Sequence, residues 1–334
     1  MQISVVIPTC NRKKRLLFLL GCLNKSEYLF QEVIIVDSGD DRLSAAELAT
    51  FDKLLIKYIS SERSVCMQRN IGIRIAESPW IFLCDDDVEL PVDYIKKLAG
   101  HINAHAETGA VSGLFLQKQG DEWTAKYPVA SFAALCWKYV FKLSVWGDIS
   151  CRDNLFSTRL KRYYLQKGNH ISKAGWPVIT DFSGDYFKTP LYSLGASLVR
   201  RDWLLGSPFD EVLDRHGIGE HYGVMAGFPS QTVDVLNATC VYHHEEQSNR
   251  IEKSLQYYRR VLTLDYFRRT RNQPEVKKFW LLWSLLGNLL MFIGKGNWLM
   301  AKATSKLMFA IGSDRNPYCL GRERSEKIVE PVFE

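Results

Sequence analysis

Four short strand-like runs fall within the first 84 residues: Ile3–Ile7, Val33–Val36, Lys53–Ile59 and Trp80–Cys84. Between them lie helical segments at Lys13–Leu23, Leu43–Leu48 and Arg63–Ala76. Apolar strands alternating with helices predict a mostly parallel sheet covered on both faces. In such sheets ligands bind beyond the carboxyl ends of the strands. Thr9–Arg12, Asp37–Asp41 and Asp85–Asp87 all follow strand ends, so these polar segments are expected to converge.

The last of the three narrows the chemistry. Asp85-Asp86-Asp87 follows directly on the apolar Trp80–Cys84 run. Three like charges at a strand end repel one another and resist desolvation, so they need a cation or solvent. On an extended backbone Asp85 and Asp87 point the same way, and oxygen ligands there suit Mg²⁺ or Mn²⁺ with phosphates completing the shell. The plainer reading of the motif alone is a solvated acidic turn.

The rest of the chain is less regular. Asp93–His105 reads as a helix, Ala110–Leu116 as a strand, Leu191–Arg200 as structured and Val233–His244 as the last core strand. Gly120–Lys188 has no clean period and reads as an irregular, substrate-facing insertion. Lys253–Arg271 is basic with an aromatic stripe compatible with an amphipathic helix. Phe279–Gly294 has sixteen residues without a charge, and Trp298–Ile311 carries Lys302 and Lys306 on one helical face. Neither reaches the ~20 residues of a membrane span. Two readings stand: a peripheral membrane contact through 253–311, or helices packed on the catalytic domain or a partner subunit.

With 334 residues and 46% hydrophobic content, the chain can hold one large α/β domain with appendages. Its +6 formal charge is clustered in Arg152–Lys173 and Arg250–Lys278, which suits an anionic partner such as nucleotide phosphates or a lipid surface. Eight cysteines without a CxxC pair suggest reduced thiols in the cytoplasm, with neither a zinc site nor a disulfide framework. The amino terminus reads as a first strand rather than a signal peptide.

Val5-Val-Ile-Pro-Thr-Cys-Asn-Arg12, Val33-Ile-Ile-Val-Asp-Ser-Gly39, Arg69-Asn70-Ile-Gly72, Phe82-Leu-Cys-Asp-Asp-Asp-Val88 and Phe209-Asp-Glu…Gly219-Glu220 occur in that order. Together they resemble inverting family 2 glycosyltransferases of the GT-A fold, over roughly Met1–His244. The resemblance implies a GT-A catalytic domain over 1–245, with a nucleotide-binding half over 1–116 and an acceptor-binding half over 117–245. A basic and apolar helical extension would then occupy 246–334. It further implies transfer of a sugar from a nucleoside-diphosphate sugar, most often a UDP-sugar, to a glycan or lipid-linked acceptor. No nucleic-acid partner is expected. The setting it suggests is the cytoplasm or the inner face of the cell membrane, in the making of surface polysaccharide or glycolipid.

Residue by residue, Pro8, Thr9, Asn11 and Arg12 would form the first turn beside the nucleotide. Asp37 would accept from the base, Arg69 and Asn70 would reach the ribose or diphosphate, and Asp86 would lie nearer the ribose or sugar. Asp85 and Asp87 would hold a divalent cation, Mn or Mg, with His243 joining them; His244 points the opposite way on an extended strand. Gly195 and Ala196 would make room for donor sugar and acceptor, and Trp203 would stack on an acceptor sugar. The family places an Asp after a Glu as general base, but this chain reads Glu220-His221. Glu220 is therefore the first choice for the base and His221 its rival. The competing readings are a catalytically inactive GT-A scaffold that binds nucleotide sugar, and a nucleotidyltransferase. The latter normally carries a glycine-rich loop after the first strand, which Pro8–Arg12 lacks.

Overall fold

The computed structural model describes residues 1–213, 215–244, 251–271 and 275–324. Strands β1 (Ile3–Thr9), β2 (Glu32–Asp37), β3 (Ile56–Ser60) and β4 (Trp80–Cys84) lie parallel in the order β3-β2-β1-β4. Helices α1 (Lys13–Asn24), α2 (Ala45–Leu48) and α3 (Val65–Ile75) connect them. Next come β5 (Val88–Glu89), α4 (Tyr94–Ala104), β6 (Ala110–Gln119) and β7 (Glu122–Thr124). The segment expected to be irregular contains α5 (Phe132–Val140), β8 (Val145–Trp146), α6 (Leu155–Lys167), β9 (His170–Ile171) and β10 (Pro177–Ile179). Its three strands form a small sheet of their own. Strands of two or three residues are too short to leave a readable period in sequence, which is why this order was not expected.

The chain returns to the main sheet with β11 (Tyr186–Thr189), β12 (Ala196–Arg200) and β13 (Val233–His243), with α7 (Arg201–Gly206) and α8 (Glu220–Met225) between the last two. The principal order is β11-β13-β6-β12-β4-β1-β2-β3. Beyond β4 the sheet is mixed, with β13 parallel to β6 and antiparallel to β11. β12 runs antiparallel to both β4 and β6, placing Ala196 opposite Cys84 at the site end and Arg200 opposite Trp80 at the far end.

Alternation along β1 divides the core. Ile3, Val5 and Ile7 face α1 and α4 through Leu16, Leu19, Leu20 and Leu98. Val6 joins Ile34, Ile73 and Leu83 on the opposite face. That second face is completed by α9 (Lys253–Thr270), α10 (Lys278–Gly294), α11 (Trp298–Gly312) and α12 (Pro317–Arg324). Val261, Leu262, Tyr266, Phe267, Leu281 and Leu307 belong to the same core cluster as Val6. The expected domain boundary at 245/246 lies outside the described residues.

α9 departs from the expected amphipathic pattern, being buried on several sides. Its fully buried Asp265 binds Arg268 at 2.8 Å, Arg269 at 2.9 Å and Asn316 at 3.0 Å. Part of the basic character of this segment is thus neutralised internally. The α10–α11 hairpin packs on the inserted region: Trp176 Nε1 donates to Ser284 Oγ and Trp283 Nε1 to the Val140 carbonyl, both at 2.9 Å. Phe279, Leu290, Trp298 and Phe309 are exposed. Among the described residues no helix is long and apolar enough to cross a membrane.

α3 lies very close to β1, since a Cβ at Gly72 would sit 2.4 Å from Val6 Cγ1. Gly72→Ala is expected to cost about 1–3 kcal/mol, the range for overpacking a rigid core. Urea unfolding should show a lower midpoint at unchanged slope.

Candidate active site

A cleft of ≈ 270 Å³ opens where β1 and β4 end. Pro8, Thr9, Arg12, Arg69, Asp85, Asp86, Asp87, Glu220 and His243 line it, together with Arg63, Arg215 and His216. Ser64 caps α3 by accepting from the Met67 N–H at 3.3 Å. The next residues, Gln68, Arg69 and Asn70, are three consecutive buried polar side chains. Successive residues leave a helix about 100° apart, so the three reach different partners. Gln68 Nε2 donates to the carbonyls of Thr9 and Val36 at 2.7 Å each, tying together the ends of β1 and β2.

Arg69 sits at the centre. Its Nη2 is 2.7 Å from Asp85 Oδ1, its Nη1 is 2.7 Å from Glu220 Oε1, and its guanidinium lies over the Phe209 ring at 5.1 Å. Burial opposes its charge, but the two carboxylates more than reverse that and raise its pKa. Burial likewise favours a protonated Asp85, yet Arg69 pulls it below the ordinary carboxylate range. A Cβ at Gly195 would lie 2.0 Å from Asp85 Oδ2, so only glycine fits there. Gly195 thus lies directly against Asp85. Ala196 does not line the cleft: it is fully buried in the sheet, and its carbonyl accepts from Tyr94 Oη at 2.7 Å.

A second arginine holds the other two aspartates. Arg12 Nη1 is 2.8 Å from Asp86 Oδ1 and 2.9 Å from Asp87 Oδ2, while Thr9 Oγ1 donates to Asp86 Oδ2 at 2.7 Å. Burial, reinforced by Asp87 against the pull of Arg12, pushes Asp86 up to about 6. Four carboxylates thus share two guanidinium groups in a partly dehydrated cleft. Such an excess of negative charge suits protons or an added cation.

Asp85 and Asp87 both line the cleft but pair with different arginines, Arg69 and Arg12. The chain leaves the extended conformation after Cys84 and turns at Asp86 and Asp87, so strand alternation no longer applies. Pairing of β5 with β13 places His243 opposite Val88, and its Nε2 lies 3.3 Å from Asp87 Oδ1. His244 turns away to Glu89 at 2.7 Å. Among the described residues no three His, Cys, Asp or Glu side chains surround one point as metal ligands would. The donor pair Asp87 and His243 still fits Mn²⁺ or Mg²⁺, which commonly take few protein ligands and fill the shell with phosphate oxygens and water.

Glu220 begins α8 after Gly219, whose φ of 90° is a left-handed conformation that glycine accepts without strain. The turn is held from the C-terminal helices: Thr263 Oγ1 donates to the Ile218 carbonyl at 2.8 Å. His221 does not line the cleft. The Leu194 N–H approaches its Nδ1 at 3.5 Å, and its buried Nε2 lies 3.3 Å from Glu220 Oε1 without a hydrogen bond among the described residues. Burial lowers its pKa and keeps the ring neutral.

Other expected residues serve the scaffold. Asn70 Nδ2 donates to the Phe209 carbonyl and to Glu211, both at 2.8 Å, and its Oδ1 accepts from the Phe209 N–H, so it fastens a loop rather than facing the cleft. Asn11 Oδ1 accepts from the Asp40 N–H at 2.7 Å and joins the first two loops. Asp37 is buried, accepting from the Gly39 N–H at 2.7 Å and from the Tyr58 hydroxyl. Trp203 is a correction: β12 carries it to the far end of the sheet, where it packs on Gly109 and on Phe228 at 5.5 Å. Gln68 was missed, because a lone glutamine on a helix carries no signal of burial. Arg63, Arg215 and His216 were missed because only folding brings their segments to the cleft.

Arg69→Leu leaves Asp85 and Glu220 facing each other without a cation, and is expected to cost about 3–5 kcal/mol near neutral pH. Mutual repulsion raises both folded-state pKa values in that variant, so its deficit shrinks as pH falls and the pair protonates. In the parent protein Asp85 is held below its ordinary value of 3.8, so its contribution is present above that pH. It is lost only as pH falls through the lowered folded value. Urea unfolding of both proteins at neutral pH and near pH 5 checks this; a deficit independent of pH would contradict it.

The family model described as "Glycosyl transferase family 2" matches residues 4–172. The chain is 32% identical over 136 residues to the uncharacterized glycosyltransferase YwdF of Bacillus subtilis (strain 168), covering 39% of this chain and 48% of the relative. It thus spans about half the length of that relative. Its fold is similar to S. aureus TarS 1-349 in complex with UDP, with TM-score 0.52, 13% identity and coverage of 98% of this chain and 92% of that one. It is also similar to the mannosyltransferase PcManGT from Pyrobaculum calidifontis in complex with GDP-Man and Mn2+, with TM-score 0.53, 12% identity, and coverage of 94% and 86%. The match covers half of the sequence, and the cleft lies where an α/β sheet of this kind binds ligands; the chain belongs to glycosyl transferase family 2.

Proposed function

We propose that this protein transfers a sugar from a nucleoside-diphosphate sugar to a hydroxyl of a glycan or lipid-linked acceptor, with inversion at the anomeric carbon. The observation that carries this reading is the convergence of Asp85, Asp86, Asp87, Glu220 and His243 in one cleft at the carboxyl ends of β1 and β4. Family membership and the UDP and GDP-Man complexes of the similar folds support a sugar-nucleotide donor. A UDP-sugar is the first choice.

The nucleotide lies against the turn Pro8–Arg12, with Arg63 and Arg215 adding positive charge for the diphosphate. Glu220 takes the proton of the acceptor hydroxyl as its oxygen attacks the anomeric carbon, while the bond to the diphosphate breaks on the opposite face. Arg69 fixes the position of Glu220 through Oε1. His221 lies behind that carboxylate and outside the cleft, which favours Glu220 over it as the base. Asp87 and His243, with Asp85 nearby, would hold Mn²⁺ or Mg²⁺, whose chemistry there is to offset charge on the leaving diphosphate. The exposed apolar residues Phe279, Leu290, Trp298 and Phe309 support a peripheral contact of α10–α11 with the inner face of the cell membrane.

A panel of sugar nucleotides, screened by thermal shift with and without Mn²⁺, should give one donor whose stabilisation is strengthened by the metal. With that donor, Glu220→Gln should lower kcat on the order of 10²–10⁴-fold and leave donor affinity nearly unchanged. Asp87→Ala should remove the metal-dependent part of donor binding. Undiminished turnover in Glu220→Gln would remove the base assignment, and absence of donor turnover in the parent protein would favour a binding scaffold.

A further inference from the structure

A second pocket, of ≈ 210 Å³, lies between α5, α6 and α10 and shares no lining residue with the cleft. Lys138, Lys142, Lys167 and Lys173 line it, and among the described residues no carboxylate does. Lys138 donates to the Ser144 carbonyl at 2.6 Å. Lys142 lies over the Tyr139 ring at 4.1 Å and 5.9 Å from the Trp280 ring. Among the described residues Lys142, Lys167 and Lys173 form no ion pair, as is also so for several surface lysines such as Lys14 and Lys25. Burial first, then repulsion from Lys167 and Lys173, lowers the pKa of Lys142. Lys167 and Lys173 are exposed and screened by water, yet a group of like charges around one pocket still favours an added anion.

The backbone supplies an independent observation. α5 ends with the Leu143 N–H donating to the Lys138 carbonyl at 2.9 Å, and Lys142 occupies the left-handed position at φ 54°. Glycine is the usual residue at that helix-terminal position, and a lysine there is strained. The lysine side chain is held over the pocket at the expense of backbone comfort, as occurs at ligand sites.

We propose that this pocket binds a phosphate or diphosphate group, either borne by a lipid or free in solution. A volume of ≈ 210 Å³ has room for a phosphate or diphosphate group. Tyr139, Tyr163, Tyr164 and Trp280 supply apolar and stacking walls. Its surroundings favour the lipid-borne source: Phe279, whose ring lies 5.2 Å from that of the lining Trp280, is 65% exposed. Apolar residues flanking a basic pocket suit acyl or prenyl chains beneath a phosphate. The inference does not depend on the reading of the cleft.

The test uses the full chain in EDTA, with inorganic pyrophosphate followed by thermal shift and phosphatidylcholine vesicles, with or without phosphatidylglycerol, followed by co-sedimentation. The parent protein should be stabilised by pyrophosphate, or bind the anionic vesicles selectively, or both. Lys167→Gln/Lys173→Gln should weaken that binding on the order of tenfold, as expected for losing charge-assisted contacts. Lys142→Gly should weaken it too while raising the melting temperature of the unligated protein, a combination that misfolding cannot produce. Loss of vesicle binding alone identifies the lipid source, and loss of pyrophosphate binding alone identifies the free one. Equal binding by parent and variants, or no binding to either probe by the parent, overturns the proposal.

Discussion

Arg69 is a buried cation gripped by Asp85 from the end of β4 and Glu220 from the start of α8, 151 residues apart from Glu220 along the chain. The cleft depends on this contact. Two buried carboxylates at that spacing repel unless a cation lies between them, and a buried guanidinium is costly unless both its arms are satisfied. The three groups are acceptable only together. Because they come from distant segments, satisfying them holds the aspartate turn and the α8 start in one arrangement. Arg12 repeats the device on the other wall with Asp86 and Asp87.

The supports of this constellation come from the whole chain. Gln68 joins β1 to β2, Asn70 fastens the Phe209 loop, and Gly195 leaves space for Asp85. From the C-terminal side, Thr263 holds the turn before Glu220 and Tyr266 Oη donates to Asp210 at 2.7 Å. A Cβ at Gly223 would meet Phe267 at 2.2 Å, so α8 and α9 pack at close range. The helices after residue 251 therefore help place Glu220, as well as covering one face of the sheet.

The parallel half of the fold was legible because its strands are buried on both faces and read as continuous apolar runs. The positions of Thr9, Arg12 and Asp85–Asp87 around one cleft were legible for a related reason, since strand ends in such sheets converge, whereas Glu220 and His243 were expected there only from the family resemblance. The inserted region was not legible. Its strands are too short for a period, and its aromatic residues pack against α10, a segment more than 100 residues away in the case of Trp176 and Ser284. Trp203 was misplaced because residue type alone does not tell which end of an antiparallel strand it follows.

The sequence by itself determined the alternating strands and helices, the acidic turn after β4 and the membership of the family, since these rest on local periodicity and short motifs. The tertiary structure decided how the charges are shared: Asp85 goes to Arg69, Asp86 and Asp87 go to Arg12, and His221 stands behind Glu220. It also brought four lysines from the inserted region into one pocket, with no acidic residue among its described lining. Pairings of buried charge follow distance and desolvation in three dimensions, and neither quantity is written in residue order.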